Sequence, residues 1–351
     1  MKIFYTQLNR KNKNCTEGFF ANTIYLEFQK FHQFVSSPEE ADCIVFFYCF
    51  YFDYEFDQQM YERIKSSGKP IVIFDYLEQG SPSLQKPEYL TTMQILGYQY
   101  DESPGNPTTV EYMKLVTGMY ELQSQIKLYF KREMPVCLDY SKSPFKILPV
   151  EYPITFAPYE PVSEEDYYNR PFDLYFNYGF SNPDRPKLHG RLLLGIDQIG
   201  HNFAQTEKTE EEFLKQGRKR IVVVYHREWY ERVPFKSQNS MTYTTMDLYG
   251  AGMKCFRSTE GTIDTLAFKA DPSLLHYSYP WVNGKNCIAL PVDERNRLKI
   301  DEAYEIIRYN LRNNQGSLYS LYLKSVENNH KYRTENYVKD YLLKNMAMYV
   351  V

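Results

Sequence analysis

ADCIVFFYCFYFDYEFDQQMYERIKSSGKPIVIFDY, residues 41–76, carries the pattern on which the fold turns. Apart from Asp42, residues 41–50 are apolar in an unbroken run rather than at every second position. A strand of that kind has to be covered on both faces. Residues 55–67 read as a helix that ends near Gly68. Residues 69–76 then read as a second apolar strand with a clear stop. Buried strands that alternate with helices imply a parallel sheet packed between two helical layers.

The same alternation continues outward. Lys2–Thr6 reads as a short apolar strand. Residues 18–34 place Phe20, Ile24, Phe28 and Phe31 at helical spacing. Residues 110–131 carry the stripe Tyr112, Leu115, Met119, Leu122 and Ile126, stepping by three and four, and are expected to form a long helix. Residues 141–172 change character: six prolines separate short extended pieces, as in an interdomain crossing. A second alternating series follows, with strands expected at 173–179, 220–225, 253–256 and 287–290. Helices are expected from 186, and over 209–216, 241–249 and 262–270. From about Ile300 the tail reads as helix to the end.

The expected architecture is therefore α/β, with two Rossmann-like doubly wound domains facing a central cleft. Residues 1–140 form the first and 173–310 the second. Residues 141–172 are the crossing, and the helices of 311–351 return to the first domain. Ligands of such sheets bind outside the carboxyl ends of the strands. That directs attention to the loops after residues 6, 50, 76, 179, 226 and 257.

Composition narrows the classes. The chain has 351 residues, enough for two domains. A formal net charge of −3 argues against a nucleic-acid footprint, which shows as a basic domain or stripe. No run of 18 apolar residues exists, so no segment is expected to span a membrane. The six cysteines have no metal-type spacing and no CxxC, and are read as reduced residues of a cytoplasmic protein. No carboxylate cluster has clean metal-ligand spacing, so no metal site is expected.

The stretch 247–290 has the densest polar signal. Gly250-Ala251-Gly252 leads into an apolar segment that ends on Arg257. Ser258-Thr259-Glu260-Gly261 then opens the helix expected over 262–270. A glycine turn, a basic side chain and a helix N-terminus together favour an anion such as phosphate. Glu260 is an acceptor suited to ribose hydroxyls. Elsewhere, Gly179 follows an apolar strand and would let phosphate approach the backbone. Arg185 and Arg191 flank the next helix. His226 and Arg227 stand at the end of RIVVVY, where a core role is ill suited to them. Trp281 could stack on a base or sugar.

The order of these parts resembles a GT-B glycosyltransferase of the exostosin-like and exopolysaccharide type. PFDLYFNYGFSNPDRPKLHGRLL (171–193) resembles the opening of a donor domain. GAGMKCFRSTEGTIDTLAF (250–268) resembles the segment that holds the sugar nucleotide. YSLYLKSVENNHKYRTENYVKDYLLKNM (319–346) resembles the helices that cross back, and SSPEEADCIVFFYCF (36–50) resembles an early phrase of that group. The resemblance implies transfer of a sugar from a nucleotide diphosphate, UDP or GDP first, to a glycan or other hydroxyl acceptor. It implies no permanently bound cofactor. Many retaining members carry two glutamates separated by seven residues. Here Phe268 stands eight positions after Glu260, which favours inversion.

An inverting transfer needs one general base for the acceptor hydroxyl. The first-domain acids near expected strand ends are Glu17, Asp53, Asp75 and Glu78, with Glu17 ranked first. Two other readings stand beside this one: a sugar-nucleotide epimerase on the same scaffold, and a glycan- or nucleotide-binding protein without turnover.

Overall fold

The computed structural model describes residues 1–10, 19–48, 55–75, 118–119, 121–132, 134–136, 140–151, 161–168, 174–176, 184–194, 199–201, 221–224, 233–235, 246–248, 266–293, 298–313 and 315–350. The chain divides into two compact units. The first comprises residues 1–150, 230–252 and 334–351, and the second 151–229 and 253–333.

The first unit is built on six parallel strands. They are β1 (Lys2–Thr6), β2 (Gln33–Phe34), β3 (Cys43–Tyr48), β4 (Ile71–Asp75), β5 (Ile126–Lys131) and β6 (Lys146–Pro149), in the spatial order β2-β1-β3-β4-β5-β6. Ile44, Val45, Ile71, Val72 and Ile73 are all at most 1% exposed, as unbroken apolar strands require. Helices α1 (Phe19–Phe28) and α2 (Gln58–Ser67) make the connections after β1 and β3. Asp57 caps α2 by accepting from the Met60 N–H at 3.0 Å. Gly68 closes it with φ of 64°, the left-handed turn that glycine adopts without strain. One core of this unit gathers Phe4, Phe46, Tyr61, Ile73, Met119 and Tyr129.

The second unit repeats the plan. Its strands are β7 (Leu174–Phe176), β8 (Ile199–His201), β9 (Ile221–Val224), β12 (Leu266–Ala270) and β13 (Ile288–Leu290). All pair in parallel, in the order β8-β7-β9-β12-β13. In both sheets the first strand lies inside, the second goes to one edge, and the third starts the other half. The winding reverses between β1 and β3, and again between β7 and β9. Helices α3 (Glu164–Tyr168), α4 (Asp184–Leu193), α5 (Ile300–Asn313) and α6 (Gln315–His330) belong here. Tyr167, Leu192, Phe268, Ile307, Tyr322 and Val326 share its core.

Five expectations are corrected. The helix expected over 262–270 is replaced at 266–270 by β12, whose five residues are at most 3% exposed between β9 and β13. Burial in mid-sheet overrides the local preference of LAFKA. The long helix expected over 110–131 gives way at Ile126 to β5. Gly118 and Met119 are helical, but the Gln125 N–H turns back to the Leu122 carbonyl, and LYF then enters the sheet. Part of the proline-rich crossing is sheet: β6 pairs with β5 through Leu128↔Lys146 to Lys131↔Pro149. An outer strand tolerates Pro149, which has no N–H to donate. The helix expected over 18–34 ends at Phe28, and Gln33–Phe34 pairs with β1. Of the helix expected over 241–249, residues 246–248 form strand β11, antiparallel to β10 (Val233–Phe235). The expected helix 209–216 and strand 253–256 lie outside the described residues.

The tail is helical as expected. After α6 it runs through α7 (Thr334–Tyr337), a π turn at Val338–Leu342, and α8 (Leu343–Tyr349). These last segments belong to the first unit, where the Tyr341 hydroxyl donates to the Pro149 carbonyl at 2.8 Å.

Candidate functional site

The carboxyl edge of the first sheet holds a braced turn. After β1 the chain passes through Leu8 at φ of 51°, the one non-glycine residue at positive φ among those described. A side chain there costs roughly 1–2 kcal/mol. The turn is held from both sides. The Leu8 N–H donates to Thr6 Oγ1 at 3.0 Å, and the Leu8 carbonyl accepts from the Asp57 N–H at 3.0 Å. Asn9 Oδ1 accepts from the Glu55 N–H at 3.2 Å, and the Arg10 N–H donates to the Glu55 carbonyl at 2.8 Å. Arg10 also faces Glu55 and Asp57, each at 3.6 Å. The exits of β1 and β3, the strands at the winding reversal, are thereby tied together.

Two strands further along, Asp75 ends β4 and Lys131 ends β5, both at 0% exposure. Lys131 Nζ lies 3.5 Å from Asp75 Oδ2, and the Tyr129 hydroxyl donates to the same oxygen at 2.5 Å. The structure thus gives Asp75 an interior ion pair.

The carboxyl edge of the second sheet holds a buried amine. Lys269, in β12, is 0% exposed and pairs across the sheet with Val224 and Ala289. Its Nζ sits 4.3 Å from the Trp281 ring centre and 5.8 Å from that of Tyr277. Burial lowers its pKa to about 7, against the opposing pull of Cys287 and Glu151. Burial also raises the Cys287 thiol to about 11, so it is no thiolate nucleophile near neutrality. Glu151 accepts from the Ser278 N–H at 2.8 Å and from the Ser278 hydroxyl. The Tyr332 hydroxyl donates to the Tyr279 carbonyl at 2.6 Å and accepts from the Tyr279 N–H at 3.2 Å, which fixes the segment leading to Trp281.

Trp281 is 3% exposed, and its indole N–H has no hydrogen-bond partner among the described residues. The ring covers Lys269 in this structure. Arg191, in α4, pairs with Asp301 at 3.0 Å and lies 3.9 Å over the Tyr304 ring, an α4–α5 contact. Arg185 lies in the first turn of α4. Glu17, Asp53, Glu78, Gly179, His226, Arg227, Arg257, Ser258 and Glu260 lie outside the described residues. Sequence reasoning missed Lys269 and the Leu8 turn. The available signal for Lys269 was a lone cation inside LAFKA, which a helical reading makes unremarkable because lysine on a helix reaches solvent. Among the described residues no group of three His, Cys, Asp or Glu side chains could hold a metal, and no helix is long and apolar enough to cross a membrane.

No protein family matches the chain, and no curated protein does so either. Among solved structures, the chain is similar to one described as "Crystal structure of GtfA/B complex", with 10% identity and a TM-score of 0.38. The alignment covers 93% of this chain and 60% of that one, so this chain spans less than two thirds of that structure's length. No functional conclusion rests on a likeness of that size.

Proposed function

We propose that this chain transfers a sugar from a nucleotide diphosphate sugar to a hydroxyl acceptor, without a metal and with inversion. The carrying observation is the winding reversal of the second sheet. Its flanking strands end at Phe176 and Val224, and within three residues of those ends the sequence carries Gly179 and His226-Arg227. Ligands of doubly wound sheets bind at such reversals. A glycine that admits phosphate and two basic side chains suit a diphosphate. The GT-B resemblance of 171–193 supplies the donor class. Arg257, Ser258 and Glu260 remain proposed donor contacts, but without support from a helix over 262–270.

The base is proposed from the first unit. Glu17 and Asp53 lie in the connections that leave β1 and β3, the strands at the first reversal. Asp75 is engaged by Lys131 and Tyr129, which disfavours it. The base takes the acceptor proton as the acceptor oxygen bonds to the anomeric carbon. The bond from that carbon to the diphosphate breaks, and the diphosphate leaves with its electron pair. His226 and Arg227 would stabilise that charge.

The test is thermal shift with UDP-, GDP-, dTDP- and CMP-linked sugars, followed by turnover in excess EDTA. A donor at about 100 times its dissociation constant stabilises by about 2.7 kcal/mol. Glu17→Gln or Asp53→Asn should keep donor binding and lower turnover by roughly 10²–10⁴-fold. Absence of stabilisation by every donor overturns the reading.

A further inference from the structure

The first unit contains a solvent-open cavity of about 850 Å³ at the amino ends of β5 and β6. Ile126 and Lys127 open β5 and Lys146 opens β6, whereas Lys131 and Pro149 end them. Five residue steps of strand separate the two ends of β5, roughly 16 Å. The cavity therefore lies at the edge of the sheet opposite the carboxyl ends on which the proposed transfer depends.

Its lining has a consistent chemistry. Among the described residues that line it, Lys127 and Lys146 are the charged side chains, and none is Asp or Glu. Lys127 Nζ gives one proton to the Ser124 carbonyl at 3.1 Å, and an ammonium has three to give. Lys146 Nζ stands 5.8 Å from the Tyr349 ring centre. Ser141 and Ser143 add hydroxyls, and Tyr140 and Tyr349 add aromatic rings. The floor is apolar, with Phe145 7% and Ile147 6% exposed. Hydroxyl groups and ring faces suit a sugar, and two lysines suit an anion on it. The volume falls within the ordinary range of small-ligand sites, about 300–1,000 Å³.

We propose that this cavity binds an acidic saccharide, with Lys127 and Lys146 receiving the anionic group and Tyr140 or Tyr349 covering a sugar ring. The same chemistry is offered by a free sugar phosphate and by a carboxylated glycan segment. The inference is independent of the transferase reading, since it uses neither winding reversal.

The experiment is calorimetric titration of the full chain with glucose-6-phosphate, with a hyaluronan tetrasaccharide and with neutral maltotetraose. An acidic probe should bind and maltotetraose should bind at least about tenfold more weakly. Lys127→Gln/Lys146→Gln should weaken the acidic probe at least about tenfold. Both lysines are exposed, and the variant's melting temperature checks that the fold is intact. Ser143→Trp, which fills the cavity without altering its charge, should weaken binding as well. Whichever acidic probe binds more tightly identifies the source. Failure of both acidic probes at millimolar concentration, equal binding of the neutral one, or wild-type affinity in the lysine variant overturns the proposal. If donor stabilisation fails but the acidic probe binds, the transferase reading falls and this one stands.

Discussion

Replacing Lys269 by methionine should remove a defined pH dependence of stability. In the folded second unit the amine titrates at about 7 because it is fully buried. In the unfolded chain it titrates near 10.4, as an exposed lysine does. Between those values the unfolded chain holds a proton that the folded one lacks, so stability rises with pH. The penalty for burying the amine is full below about pH 7 and gone above about pH 10.5. For a folded value of about 7, raising the pH from 7.0 to 8.5 should stabilise the wild type by about 1.5 kcal/mol through this residue alone. The window stops at 8.5 because Cys287 and Cys43, raised to about 11 and about 12, act with the opposite sign once unfolded thiols ionise. Methionine keeps a flexible apolar stem against Trp281 and carries no proton. The loss of a cation near Glu151 is a constant offset that does not alter the slope in this window. The assay is urea unfolding at pH 7.0, 7.75 and 8.5, read by Trp281 fluorescence in a Trp229→Phe background. Trp281 belongs to the second unit and is one of two tryptophans in the chain. Parallel stability curves for the wild type and Lys269→Met would refute the reasoning and mean that the amine stays protonated when folded.

Asp75→Asn should destabilise the first unit by roughly 3 kcal/mol, because Lys131 loses the charge it faces in the interior. Asp75→Asn/Lys131→Met should recover most of that loss in urea unfolding; lost turnover at unchanged stability would instead return Asp75 to the role of base. Gly68→Ala should cost about 1 kcal/mol by the same measurement. Nothing stands within 4 Å of the new methyl group, so only the left-handed backbone at φ of 64° opposes it.

Strand-helix-strand over 41–76 was legible because both strands are apolar on two faces and Gly68 marks the helix end. Such signals are local, and tertiary context reinforces them. LAFKA and IKLYFK were not legible as strands. Each is short, and a short apolar run satisfies a helical stripe as well as a buried strand. Their neighbours in the sheet decided the outcome: β9 and β13 for the first, β4 and β6 for the second. The site divides along the same line. Trp281 was visible as an aromatic after a turn, but its partner Lys269 lies twelve positions earlier on another element. The turn at Leu8 was invisible, since nothing in QLNR announces positive φ.

By itself the sequence determined that the chain is α/β, that its buried strands pair in parallel, and that the tail is helical. Those properties follow from which residues can leave water and at what spacing, which is a property of each segment. The tertiary structure alone decided the strand order, and with it the two winding reversals, the enclosure of Lys269 and the pairing of Asp75 with Lys131. Strand order depends on which segments bury one another across long stretches of chain, and no local pattern encodes that choice.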